Sequence, residues 1–191
     1  MKNRLALRIS QIAHPIGLLV GFLAYSLFTI LEPIKAGWTL AGTLLLGILP
    51  LILWNEYHRR TGRYTNFDVS LRKQRYSLYL WMLFLGTVVF GFLWLSDQPR
   101  SIRTGGLVLL QLLLVSFLLN FRIKVSLHLA IAAYISIALS PINLSLAGAL
   151  IGCLPLIAWS RWQLGRHRIT ELVVGAILGL ICGFQLLWLS P

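Results

Sequence analysis

Two histidines stand where an imidazole could do chemistry: His128, in Lys124-Val125-Ser126-Leu127-His128, and His167, between Ser160-Arg161 and Glu171. His167 and Glu171 are four apart and share a face if the segment is helical. A carboxylate so placed holds an imidazole in one tautomer and stabilises its protonated form, as an orienting group does for a histidine nucleophile. The same pair would also serve as a loop-end histidine with an interfacial salt bridge. Cations surround both histidines. Arg72-Lys73-Gln74-Arg75 precedes one apolar run, Lys124 a second and Arg161 a third, so three helix starts carry basic side chains. Helix starts offer unpaired N–H groups and a positive dipole end, which together with Arg and Lys form a phosphate site.

The elements that must position these residues are apolar. Of the 191 residues, 58% are apolar and 12% charged, whereas a soluble domain carries about 25% charged residues; the mean hydropathy is +0.80. Apolar runs long enough to cross about 30 Å of hydrocarbon recur between short polar connections. They are apolar on every side, which favours helices over barrel strands. The expected spans are about Ile12–Ile30, Trp38–Trp54, Ser77–Leu95, Gly105–Phe121, Val125–Ser140, Ile142–Trp159 and Glu171–Leu189. Pro141 and Asn143 make the apolar stretch 125–159 a hairpin of two spans. The fold class is an all-α polytopic membrane bundle of about seven helices, six to seven, in one domain over residues 1–191. The first run reads as a retained span rather than a removed signal peptide.

Crossings taken in pairs put the N-terminus and segments 55–76, 122–124 and 160–170 on one face. That face holds 14 of the 17 Lys and Arg residues, leaving Lys35, Arg100 and Arg103 on the other. Positive charge is retained on the cytoplasmic side, so the histidine face is expected there. The net charge of +12 suits an anionic partner; in short loops beside apolar spans, that partner is membrane lipid rather than nucleic acid. Cys153 and Cys182 lie in apolar runs without metal-ligand spacing, and the acids are too scattered for a magnesium diphosphate site. No metal and no cofactor are expected. His14 and His58 read as interfacial or solvated, and the tryptophans near span ends as a depth-setting belt.

Ser160-Arg161, five residues, His167, three residues and Glu171 resemble the last motif of the type-2 phosphatidic acid phosphatases, Ser-Arg-x5-His-x3-Asp, with Glu for Asp. Val125-Ser126-Leu127-His128 is similar to the middle motif, Pro-Ser-Gly-His, keeping Ser and His. Arg75 can stand for the arginine of the first motif, Lys-x6-Arg-Pro, but Tyr76 replaces its Pro and Asp68 its Lys, a charge that Lys73 or Arg72 would have to supply. The resemblance covers roughly residues 60–180. It implies a metal-independent phosphatase of lipid phosphates or prenyl diphosphates in a bacterial or archaeal cell membrane. In it His167 would attack phosphorus, Glu171 support the imidazolium and His128 protonate the leaving oxygen. Arg75, Arg161, Lys73, Arg72, Lys124 and the Ser126 region would hold the phosphate. The alternative is a lipid-phosphate-binding or assembly protein of the same fold, which needs the basic face but not both histidines. Oligomeric state is not assigned.

Overall fold

The computed structural model describes residues 2–190, and all regular structure among them is helical. Helix α1 (Lys2–Ile12) is amphipathic and stops at Ala13 and His14, because Pro15 has no N–H to continue its ladder and opens α2 (Pro15–Ile30) at N1. Helices α3 (Pro33–Thr43) and α4 (Leu49–Arg60) are joined by a π turn over Leu44–Ile48. Pro50 lies just beyond that turn, and the widened backbone accommodates its ring and missing donor. There follow α5 (Arg75–Leu95), α6 (Arg100–Asn120), α7 (Leu127–Ala138), α8 (Leu144–Gln163) and α9 (Ile169–Leu189).

Among the described residues, six helical segments are long and apolar enough to cross a membrane, including Lys2–Ile30 and Pro33–Arg60, each formed by two consecutive helices. The span expected over 125–140 is where the structure departs from seven. Helix α7 has 12 residues, about 18 Å at 1.5 Å per residue, which falls short of the hydrocarbon thickness. Every residue from His128 to Ala138 is buried by protein. An all-apolar helix looks the same in sequence whether lipid or protein surrounds it. The hairpin itself is present: α7 turns at 139–143 and α8 runs back.

The chain forms two compact units, one made of its beginning through Leu31 with everything from Ile123 onward, the other of Glu32–Arg122. In the first, α7 is the centre. Helix α9 runs parallel to α7 along three glycines at four-residue spacing. A Cβ on Gly175 would lie 2.6 Å from the Ser126 carbonyl oxygen, one on Gly179 would collide with the Ala130 carbonyl, and one on Gly183 would lie 2.6 Å from Ile137 Cβ. Small residues at this spacing let helix backbones approach closely inside a membrane, where dispersion and weak hydrogen bonds rather than water exclusion hold helices together. Helix α2 also runs parallel to α7, with Phe22 against Tyr134 and Tyr25 bonded to Asn143 at 3.1 Å. Helix α8 returns antiparallel and packs on α7 and α1.

In the second unit, Gly42 meets the Phe92 ring and Gly47 meets Val89, seating the π-bulged helix on α5, which pairs with α6. The connection 61–74 folds back so that Tyr64 and Val69 are buried. His58, expected to be interfacial, is instead in this core: its Nδ1 pairs with the Trp54 carbonyl at 2.9 Å, and its ring lies 4.2 Å from that of Trp54 and 4.9 Å from that of Tyr64. Its place beside Arg59 and Arg60 in sequence concealed that it points the other way from them.

Gly179→Ala should cost about 1–3 kcal/mol, because a methyl group there overpacks against backbone that cannot move aside. Gly148→Ala on α8, where a Cβ meets nothing within 4 Å, should change stability by less than about 1 kcal/mol. Thermal unfolding of both variants in the same detergent checks this; equal midpoints would contradict the close α7–α9 packing.

Candidate active site

The end of α8 sets the position of His167. Gly165 has φ +63°, Arg166 N–H donates to the Arg161 carbonyl at 3.0 Å and Gly165 N–H to that of Trp162 at 2.9 Å. These two bonds form a Schellman motif, which satisfies the last carbonyls of α8 and reverses the chain at a residue without a Cβ penalty. His167 follows at once, and Arg168 caps α9.

Glu171 is the third residue of α9. Its Oε2 accepts the Arg168 N–H at 3.2 Å and lies 2.9 Å from His167 Nδ1. A carboxylate only accepts, so His167 carries its proton on Nδ1 and its neutral ring has its lone pair on Nε2. The residue is 6% exposed and its side chain 1%. The pair expected from sequence is present, but not on a shared helical face: His167 precedes the cap of α9, and the longer Glu171 reaches back over that cap to the imidazole.

Lys124 ties the approach to α7 to the same loop. Its Nζ donates to the Arg166 carbonyl at 2.6 Å and lies 3.8 Å from Glu171 Oε2. Two residues on, Ser126 N–H donates to the Glu171 carbonyl at 3.3 Å, which sets the starts of α7 and α9 side by side. Ser126 is fully buried at the N-cap of α7, and its hydroxyl caps no helix N–H, so the first amides of α7 keep their positive dipole end. His128, 5% exposed, is the second residue of α7.

Arg161, in the last turn of α8, is 1% exposed, and its Nη1 donates to Ser10 Oγ on α1. A guanidinium cannot shed its charge, so burying one needs such polar partners. Lys124, Ser126, His128, Arg161, His167 and Glu171 thus all belong to the first unit. Arg72, Lys73 and Arg75 belong to the second. Arg75 is buried there, with Nε donating to the Val69 carbonyl at 3.0 Å; Arg72 is exposed and donates to the Arg122 carbonyl at 3.1 Å; Lys73 is exposed.

Two contributors were not singled out from sequence. His14, read there as interfacial or solvated, is the N-cap of α2: its Nδ1 accepts the Ile16 N–H at 3.3 Å, and its ring meets that of His128 edge-on with centroids 5.5 Å apart. The available signal was a histidine directly before a proline at a helix start. Ser10 carried no signal, because its role depends on how α1 lies against α8. Among the described residues, no three His, Cys, Asp or Glu side chains converge as a metal site. Comparison with protein family models, curated proteins and solved structures finds no match to this chain.

Proposed function

We propose that the chain is a membrane-embedded, metal-independent phosphatase of lipid phosphates or polyprenyl diphosphates that works through a phosphohistidine. The observation that carries this reading is the buried His167 with Nδ1 engaged by Glu171 at 2.9 Å, beside the helix start that bears His128. Charge supports it. In the first unit Lys2, Arg4, Arg8, Lys124, Arg161, Arg166 and Arg168 stand against a single acid, Glu171, an imbalance that a phosphate dianion offsets.

In this mechanism His167 Nε2 attacks phosphorus and the bond from phosphorus to the lipid-side oxygen breaks, with His128 as the proton donor to that oxygen. Glu171 keeps the Nδ1 proton in place and balances the positive ring. Arg161, Lys124 and the α7 start stabilise charge on the phosphoryl oxygens. Water, deprotonated by His128, then attacks phosphorus and cleaves the P–N bond, which releases phosphate and restores His167. With a diphosphate the leaving group is the polyprenyl monophosphate.

His167→Ala should lower phosphate release from a panel of lipid phosphates by at least about 10³-fold, as loss of a covalent nucleophile does, and His128→Ala by about 10²–10⁴-fold. Wild-type activity should persist in excess EDTA. Full activity in both variants, in folded protein, would overturn the histidine mechanism. No phosphate release by wild-type protein that still binds lipid phosphate would favour a lipid-phosphate-binding protein, and loss on chelation restored by magnesium would favour metal-assisted chemistry.

The orientation we propose faces the cytoplasm, from the 14-to-three split of basic residues. It tolerates the short α7, because α7 and α8 together go in and return to the same end. Single cysteines at the exposed Arg63 and Arg100, in a background without Cys153 and Cys182, test it in intact cells. An impermeant maleimide should modify position 100 and spare 63; the reverse pattern would put the site outside.

A further inference from the structure

Because α9 is joined closely to α7 by its glycines, and α8 packs on α7 from another side, α8 and α9 stand as two walls over a shared floor. Between them is a groove of about 360 Å³. Leu129 of α7 and Leu172 form the buried floor; Leu154, Ala158 and Trp162 belong to one wall and Ala176 to the other. The lining is wholly apolar and aromatic. One end of the groove lies at the same level along the helices as the candidate site, since Trp162 follows Arg161, Leu129 follows His128 and Leu172 follows Glu171, while the site residues themselves lie outside its lining. From Ile169 to Ala176 along α9 the groove runs about 10 Å away from that end at 1.5 Å per residue.

We propose that this groove holds one hydrocarbon chain of the lipid whose phosphate meets His167, an inference that rests on the function proposed above. Three features select this occupant. The groove starts at the cationic, histidine-bearing end and descends along the spans, the direction in which a lipid chain leaves its headgroup. Trp159 and Trp162 flank the headgroup end, where amphipathic rings favour the interface between polar and apolar phases. The extent fits a segment of one chain: the groove of about 360 Å³ is a narrow apolar channel about 10 Å long between two helices. In this proposal a second chain stays in the bilayer. The site therefore selects a lipid by one chain and its phosphate, and accepts single-chain and two-chain lipid phosphates alike.

The test uses the full chain in nanodiscs of phosphatidylcholine, with phosphatidic acid carrying a diazirine midway along one acyl chain. Photolysis should place adducts on the peptides that contain 154–158 and 172–176. Unlabelled phosphatidic acid should compete, and an equal excess of phosphatidylcholine should not. Ala176→Phe and, separately, Ala158→Phe should lower these adducts about tenfold, the loss expected when the burial of about two methylenes is denied. Adducts spread over other lipid-facing surface, or equal competition by phosphatidylcholine, would overturn the groove as a substrate site. The readout does not need turnover: phosphate-selective labelling without phosphate release would overturn only the catalytic reading, and phosphate release with unselective labelling only the groove.

Discussion

Backbone proximity between α7 and α9 is the constraint on which the first unit depends. Glycine in a helix costs about 1 kcal/mol relative to alanine, and α9 carries three on the face that meets α7. The return is contact at a distance no side chain permits, in a setting where lipid competes equally for apolar surface and only tight packing and weak hydrogen bonds distinguish protein from lipid. The two parallel helices are held in a fixed longitudinal register, pinned at one end by the Ser126–Glu171 backbone bond. The histidine of one helix start and the His–Glu pair of the other consequently share a neighbourhood without any long loop to hold them there.

The cost of this arrangement is electrostatic. Arg161, Lys124 and two histidine rings are drawn into a unit with one carboxylate, and that carboxylate is shared among the Arg168 amide, His167 and Lys124. Neutral groups add to this, the Arg166 carbonyl for Lys124 and the Ser10 hydroxyl for Arg161. Such neutral partners solvate the cations without cancelling them. A site built in this way stays short of negative charge, as the proposed function requires of a pocket that is to draw in a phosphate and stabilise its oxygens.

The parts legible in the sequence were those governed by local spacing. His167 and Glu171 pair because a residue just before a helix cap lies within reach of the third residue of the helix, whose side chain folds back over the cap, and the hairpin at Pro141 forms because a turn former interrupts an apolar run too long for one crossing. The burial of α7 was not legible, since apolarity alone does not tell protein from lipid, and neither was the packing role of Gly175, Gly179 and Gly183, whose spacing acquires meaning only with a partner backbone. Long-range pairings were hidden for the same reason: Ser10 with Arg161, His14 with His128, and the aromatic stack that takes His58 into the core of the second unit.

The proposed mechanism passes through a covalent intermediate, and trapping that intermediate tests it most directly. Lipid phosphate labelled with ³²P, mixed with the protein and quenched within one turnover, should leave label on the chain that is stable to alkali, lost in acid, located at His167 by peptide mapping and absent from His167→Ala. Phosphate released by wild-type protein with no labelled chain at any quench time, or label mapped to a residue other than His167, would contradict the account.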